Sequence, residues 1–176
     1  MPIPASDCQS IRKDVAGFAD FLQPGHEGAV RMSTLISALQ DAATSRVAWP
    51  DALKALTEAA GVAGAALIIS NKHSGNVEEA CFFGLSAEFE SDYIRHYATL
   101  DPYSPLLDGS WKKLSECFPD PVLRRSEWYN DFVLACGVRD ILGARLVDTP
   151  DYHVIFGIHQ QIGRSFPRGS ILSSSW

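Results

Sequence analysis

The middle of the sequence gathers residue types that suit the recognition of a small organic molecule. A small-molecule pocket needs apolar walls with a few directed polar groups. Tyrosine and tryptophan provide both at a low cost in side-chain entropy, and a carboxylate accepts hydrogen bonds from a ligand amide or amine. The predicted ligand-binding residues are Tyr93, Tyr97, Asp101, Tyr103, Trp111, Trp128 and Tyr129.

The same residues also have a purely structural interpretation. Phe89, Tyr93 and Tyr97 recur at every fourth position, so they share one face of a helix. An aromatic face of this kind is typical of a hydrophobic core. Asp101 precedes Pro102 in a proline-rich loop, where its carboxylate can accept hydrogen bonds from backbone N–H groups. The sequence leaves both interpretations open.

Patterns for catalysis or metal binding are weak. The cysteines Cys8, Cys81, Cys117 and Cys136 form no Cys-x-x-Cys pair, and none lies near a histidine at metal-ligand spacing. Cys117 and Cys136 are candidate thiol nucleophiles by residue type alone. We therefore predict no enzyme activity, no metal and no cofactor. A thiol enzyme would require one of these two cysteines beside a histidine and a carboxylate in one cleft.

Two histidines lie on one predicted strand. His153 and His159 are six residues apart and so face the same side of that strand. At about 3.3 Å per residue they are separated by about 20 Å, which is too far for one metal ion. We interpret them as exposed or partly buried residues of a sheet.

The composition sets outer limits on function. The chain has 176 residues, with 15 Lys and Arg against 21 Asp and Glu, and a formal charge of −6. This acidic balance argues against a nucleic-acid-binding surface. No apolar run approaches the roughly 20 residues that span a bilayer, and the N-terminus lacks the basic and apolar stretches of a signal peptide. We predict a cytoplasmic protein with reduced thiols and no membrane partner.

Hydrophobic residues at helical spacing predict the elements that would hold these side chains. Leu53, Leu56 and Ala60 form one such face after Trp49-Pro50, and Gly61 ends that helix. The first predicted helix lies in an N-terminal lead-in and would pack either on a partner chain or on its own domain. The helical segments are 9–22, 32–46, 50–60, 87–100 and a stretch that opens at Pro119-Asp120-Pro121 and ends at Gly137.

Strand patterns fall between these helices. Residues 64–70 are apolar on both faces, as in a central strand, and return through a turn at Gly75 as 77–83. Residues 111–115 form a short edge strand, and 141–147 and 153–160 form a second hairpin. The predicted fold is α+β, an α/β/α sandwich with a central antiparallel sheet.

Together these motifs resemble the N-terminal sensor domain of LuxR-type bacterial transcription regulators. The resemblance covers about 32–166 and is fairly specific as a combination, whereas each piece alone is weak. The matching segments are Met32–Ser70, Tyr93-Ile-Arg-His-Tyr-Ala-Thr-Leu-Asp-Pro-Tyr103, Arg125-Ser-Glu-Trp-Tyr-Asn-Asp-Phe132 with Gly137 and Leu142-Gly143, and Phe156-Gly-Ile-His159.

The resemblance implies a GAF- or PAS-like fold with a five-stranded antiparallel sheet, helices on both sides and a pocket between sheet and helices. It implies an autoinducer-binding-like role in signal sensing, such as quorum sensing, and a homodimer. In these regulators a C-terminal helix-turn-helix contacts DNA. We expect a lead-in over 1–30, the sensor domain over 31–166 and a tail over 167–176, with no DNA-binding domain and no direct DNA contact in this chain. Three alternatives would each explain why the DNA-binding domain is missing: a natural short protein, an excised fragment or a frameshift.

The ligand class is less well defined by the resemblance. The lactone-binding members carry a Trp and a Tyr four residues apart, then Asp-Pro, then another Trp. Here Tyr93 stands at the first position, and the spacings from Tyr97 to Asp101 and from Asp101 to Trp111 are shorter. The sequence is therefore closer to the GAF-like group, and an acyl-homoserine-lactone-like ligand is one option among small molecules.

Three hypotheses follow for function. The first is a ligand-sensing or signal-receiving domain, in which binding shifts a dimer or interdomain equilibrium. The second is a ligand-free dimerisation module that modulates full-length regulators by forming mixed dimers. The third is a small-molecule enzyme that uses Cys117 or Cys136.

Overall fold

The computed structural model describes residues 48–164 and, before them, residues 34, 37–38, 41–42 and 45. The helix predicted over 9–22 and the tail over 167–176 lie outside the described residues. Within the segment 32–46, the described residues Thr34, Ser37, Ala38, Asp41 and Ala42 are helical.

Five antiparallel strands form one sheet. The strands are β1 (Gly64–Asn71), β2 (Val77–Phe83), β3 (Lys112–Lys113), β4 (Val138–Asp148) and β5 (Tyr152–Gln161), and their order in the sheet is β2-β1-β5-β4-β3. The two predicted hairpins are both present, β1 with β2 and β4 with β5. The edge strand predicted over 111–115 is shorter in the structure, because Leu114 begins a helical turn. This sheet confirms the predicted α+β fold with a central five-stranded antiparallel sheet.

The central strands are apolar on both sides because each face of the sheet carries its own core. Along β1, Leu67 and Ile69 point to one core, whereas Ala66 and Ile68 point to the other. This alternation follows from the period of two in a strand. A sheet covered on both faces is the sandwich that the continuous apolar run in β1 predicts.

One face of the sheet is covered by α1 (Trp49–Ala60). Pro50 lies in its first turn, and the helix ends at Gly61, which adopts a left-handed φ of 63°. Leu53 and Leu56 are each 1% exposed and belong to the core on this face.

The other face is covered by short helical pieces. They are α2 (Ala87–Arg95), the 3₁₀ turns Tyr97–Thr99 and Ser104–Leu106, α3 (Leu114–Cys117), α4 (Asp120–Leu123) and a π-helix over Trp128–Val133. Phe132 of the π-helix is the point on which α2 packs. Its ring centroid lies 6.2 Å from that of Phe89, 5.5 Å from Tyr93 and 4.9 Å from Tyr97. The aromatic face predicted from every-fourth-residue spacing is thus part of a core.

The helix predicted over 87–100 is shorter in the structure. It ends at Arg95, and His96 leaves the helical conformation with φ −137° and ψ −58°. A continuous helix would separate residues 93 and 101 by about 12 Å along its axis. The break instead brings Asp101 Oδ2 to within 3.0 Å of the Tyr93 hydroxyl, which donates to it. A buried hydrogen bond therefore accompanies the early end of this helix.

Candidate ligand-binding site

A cavity of about 50 Å³ lies between the sheet and the helical layer that contains the π-helix. Ala66, Ile155 and Gly157 contribute its sheet side, and Phe132 and Val133 contribute its helical side. Because these walls are almost entirely apolar, the few polar groups that reach the cavity determine what it can recognise.

Four of the seven predicted ligand-binding residues line this cavity: Tyr93, Asp101, Tyr103 and Trp128. They come from α2, from the loop after it and from the π-helix. These segments are far apart in the sequence, and the helical layer brings them over the same part of the sheet.

The other three predicted residues do not line it. Tyr97 is half-buried and stacks on Phe132 at the edge of the core. Trp111 lies against the opposite face of the sheet, where its ring is 5.9 Å from that of Phe156. Tyr129 points to β4 and donates to the Arg139 carbonyl at 2.9 Å. Adjacent residues of a helix point in different directions, so Trp128 and Tyr129 do not reach the same place.

Asp101 is the centre of the loop that closes one side of the cavity. Its Oδ1 accepts from the backbone N–H groups of Tyr103 at 2.8 Å and Ser104 at 3.1 Å. Its Oδ2 accepts from the hydroxyls of Tyr93 at 3.0 Å and Ser104 at 2.6 Å. Four donors within the chain thus occupy this carboxylate, which supports the structural interpretation of Asp101.

Burial has the largest effect on the pKa of Asp101. It raises the pKa of the carboxyl above its usual range, although the donors on Ser104, Tyr103 and Tyr93 lower it in part. The residue is only 9% exposed. The cost of burying this charge is offset locally by hydrogen bonds, which is the arrangement expected of a buried carboxylate with a structural role.

The Tyr103 hydroxyl likewise has a hydrogen-bond partner within the chain. Its hydroxyl donates to the Lys112 carbonyl at 2.6 Å and so ties the loop to the edge strand β3. Burial is the main cause that raises the pKa of this hydroxyl. Tyr93 and Tyr103 therefore present mainly their rings to the cavity.

Two polar atoms at the cavity have no hydrogen-bond partner among the described residues. They are the indole Nε1 of Trp128 and the imidazole Nδ1 of His159, and both are buried. Buried polar groups are nearly always hydrogen-bonded to protein, water or ligand. A water molecule or a ligand atom in the cavity would supply the missing partners, and the volume is sufficient for one or more waters.

His159 was not among the predicted ligand-binding residues. The interpretation of this residue as exposed or partly buried is wrong, because it is 6% exposed and lies on the cavity side of β5. Burial lowers the pKa of its imidazole to about 4, so the ring is neutral near pH 7. Phe156-Gly-Ile-His159 is one of the segments that carry the family resemblance, but its residue types and spacing do not indicate which side chain reaches a cavity.

The two candidate thiol nucleophiles lack an activating environment in the structure. Cys136 lines the cavity together with His159 and Asp101, but burial raises the pKa of its thiol to about 12. His159 Nδ1 has no hydrogen-bond partner among the described residues, so this nitrogen is not bonded to the Cys136 thiol. Burial also raises the pKa of the Cys117 thiol. Both thiols are protonated and weakly nucleophilic near pH 7.

Residues 48–164 and the few described before them contain neither a metal-binding cluster nor a membrane-spanning helix. No group of three or more His, Cys, Asp or Glu side chains there has an arrangement that would hold a metal ion. No helix in that part of the chain has the length and apolar character needed to cross a bilayer.

Comparison with known proteins adds no family assignment. No protein-family model matches the sequence, and a search of curated proteins finds no match.

Proposed function

We propose that this chain is a ligand-sensing domain of a LuxR-type transcription regulator, with a GAF- or PAS-like fold, that binds a small organic molecule between sheet and helices. The observation that carries this proposal is the apolar cavity with two polar atoms, Trp128 Nε1 and His159 Nδ1, for which residues 48–164 supply no hydrogen-bond partner. An apolar ligand with one or two polar groups would fill the space and provide their hydrogen-bond partners.

The size of the cavity constrains how such a ligand would act. At about 50 Å³ it is smaller than the roughly 300–1,000 Å³ of typical small-molecule pockets. A ligand as large as an acyl-homoserine lactone would enter only if the helical layer moved away from the sheet. Binding would then shift the population toward a more open layer, and that shift is the signal passed to a partner domain or to the second subunit of a homodimer.

The segment best placed to move is the π-helix Trp128–Val133. It contributes Trp128, Phe132 and Val133 to the cavity, and α2 packs on its Phe132. π-Helical segments are rare and are frequent at functional sites. A ligand that displaces Phe132 would therefore displace α2 with it.

A variant that fills the cavity tests the proposal. A Cβ atom added at Gly157 would lie 3.4 Å from Ile141 Cγ2, which is ordinary contact, so Gly157→Ala should fold while narrowing the cavity. Gly109→Ala adds the same methyl group in open space and is the matched control. We expect native mass spectrometry of the full chain from its own host to detect a bound small molecule, and Gly157→Ala to reduce its occupancy at least tenfold.

Two outcomes of that experiment would contradict the proposal. One is a wild-type chain that carries no small molecule and whose tryptophan fluorescence does not change when an extract of its host is added. The other is equal occupancy in wild type, Gly157→Ala and Gly109→Ala, which would place the molecule elsewhere. The ligand-free dimerisation module would then be the better hypothesis, and sedimentation of a dimer would support it.

A further inference from the structure

A second, more polar cleft of about 360 Å³ adjoins the apolar cavity. The two spaces share part of their walls, including Ile68, Tyr93, Asp101, Ser104 and Ile155. The hydrogen bonds of Asp101 to Tyr93 and Ser104 lie in this shared wall. A molecule that displaced this wall would place an apolar part beside the π-helix and a polar part in the cleft.

Cationic side chains dominate the polar wall of this cleft. Lys72 and Arg145 line it together with His153. Asp101 is the acidic side chain among its lining residues, and that carboxylate is occupied by the hydroxyls of Tyr93 and Ser104 and by backbone N–H groups. These hydrogen bonds occupy the acceptor oxygens of Asp101 without cancelling its charge, so Lys72 and Arg145 are the side chains that offer charged N–H donors to a molecule in the cleft.

The two cations share one carboxylate outside the lining. Lys72 Nζ forms an ion pair with Asp148, and Arg145 Nη1 lies 3.3 Å from Asp148 Oδ2. Asp148 is therefore shared, and neither Lys72 nor Arg145 has this carboxylate to itself. The pKa of His153 reflects this environment: burial lowers it first, and the charges of Arg145 and Lys72 lower it further against the opposing effect of Asp148.

Arg145 also has an unused donor. Its side chain is 19% exposed, and its Nε is buried without a hydrogen-bond partner among the described residues. A guanidinium offers five N–H donors in a fixed planar arrangement that matches a carboxylate. An anion beside Arg145 would provide the acceptor that the described residues do not.

We propose that the cleft binds the carboxylate head of a small organic anion whose apolar part enters the adjoining cavity. This rests on the proposed function, because the apolar part needs that cavity. The proposal adds the chemical class of the ligand: an aliphatic or aromatic acid rather than a neutral lactone. Arg145 and Lys72 hold the carboxylate, and Asp148 holds the two cations in place.

Matched acids and amides test this proposal on the full chain. The probes are hexanoate and phenylacetate, each compared with its primary amide by isothermal titration at pH 7. The amide has the same shape without the charge. A charge-assisted hydrogen bond contributes more than a neutral one, so we expect each acid to bind at least tenfold more tightly than its amide.

Arg145→Gln should remove this preference for the acid, and Lys72→Gln should reduce it. Lys72→Gln serves as the second variant if Arg145→Gln does not fold. Arg125→Gln changes an exposed arginine outside both lining sets and should leave the preference intact. Equal binding of acid and amide, or an acid preference that survives both cleft variants, would overturn the proposal.

The outcomes separate this inference from the function on which it rests. In one outcome, Gly157→Ala weakens the binding of acids and amides equally, whereas Arg145→Gln affects neither. That outcome overturns the anion site and supports ligand binding in the cavity. Failure of all four probes to bind overturns the anion site for ligands of this size, and the native mass spectrum then decides on the cavity independently.

Discussion

Asp101 and His159 are both buried polar residues beside the same cavity, but their hydrogen-bonding atoms differ in whether the chain supplies partners for them. The Asp101 carboxylate accepts hydrogen bonds from Tyr93, Tyr103 and Ser104, whereas His159 Nδ1 has no partner among the described residues. An unsatisfied buried group costs free energy unless water or a ligand pairs with it. At the scale of single residues, His159 is therefore the better candidate for ligand contact, although Asp101 matches the sequence motif.

His159 should make stability depend on pH. Its pKa is lowered by burial from 6.5 to about 4, so between these values the unfolded state binds a proton that the folded state does not. The free energy of unfolding therefore falls as pH falls from 6.5 to 4, by up to about 3 kcal/mol through this group, and the loss is complete below pH 4. Urea denaturation of wild type and His159→Leu at several pH values measures the difference.

The variant isolates His159 because other titrating groups, such as Asp101 and His153, are the same in both proteins. We expect a shallower dependence on pH in His159→Leu over this window. Identical slopes in the two proteins would show that the imidazole is accessible to protons in the folded state.

At the scale of elements, tight connections determine how the strands and helices meet. Gly84 follows β2 with φ 84°, and Gly137 precedes β4 with φ 74°. Both adopt a left-handed conformation that other residues enter at a cost of about 1–2 kcal/mol. Their surroundings differ, because Gly137 has open space around it whereas Gly84 lies against the start of β1.

Alanine at these two glycines should therefore have unequal effects. A Cβ at Gly84 would overlap the Ala63 carbonyl oxygen and lie 2.9 Å from Gly64 Cα. We expect Gly137→Ala to lower the free energy of unfolding by about 1–2 kcal/mol and Gly84→Ala by more than about 4 kcal/mol. Thermal denaturation followed by circular dichroism measures both. A larger loss of unfolding free energy in Gly137→Ala than in Gly84→Ala would contradict the close packing of Gly84 at the end of β2.

The elements were largely predictable because their signals are local. The strand at Val77–Phe83 and the end of α1 at Gly61 agree with apolar spacing and turn residues in the sequence. The end of α2 at Arg95 was not predicted, since it accompanies a hydrogen bond between Tyr93 and Asp101 that exists only in the folded chain. Where the structure has the π-helix, the sequence predicts an ordinary helical stretch, because no local pattern distinguishes the two.

At the scale of the whole molecule, one sheet separates two hydrophobic cores. Leu53 lies in the core under α1 and Leu107 in the core that contains the cavity, and they are 1% and 2% exposed. Because the strands between them belong to both cores, the two faces should unfold together.

Leu53→Ala and Leu107→Ala should each lower the free energy of unfolding by about 2–5 kcal/mol. Each should shift a single transition that is the same by circular dichroism and by tryptophan fluorescence. The fluorescence signal includes Trp49 and Trp111 in one core and Trp128 in the other. Separate transitions from the two probes would contradict a shared sheet. Of these two leucines, Leu107 lines the cavity and Leu53 does not. Leu53→Ala is therefore also the control for any effect of Leu107→Ala on ligand binding.

The sequence by itself determined the periodicities: the strands of two antiparallel hairpins, the helix that ends at Gly61, and the aromatic residues that share one helical face. These follow from residues close in the chain. Only the tertiary structure decided that Trp111 lies on the face away from the cavity, that the Asp101 carboxylate is already occupied, and that His159 and Arg145 adjoin the two spaces. Hydrogen-bond satisfaction and cavity volume depend on side chains that converge from distant segments, and no local spacing specifies that convergence.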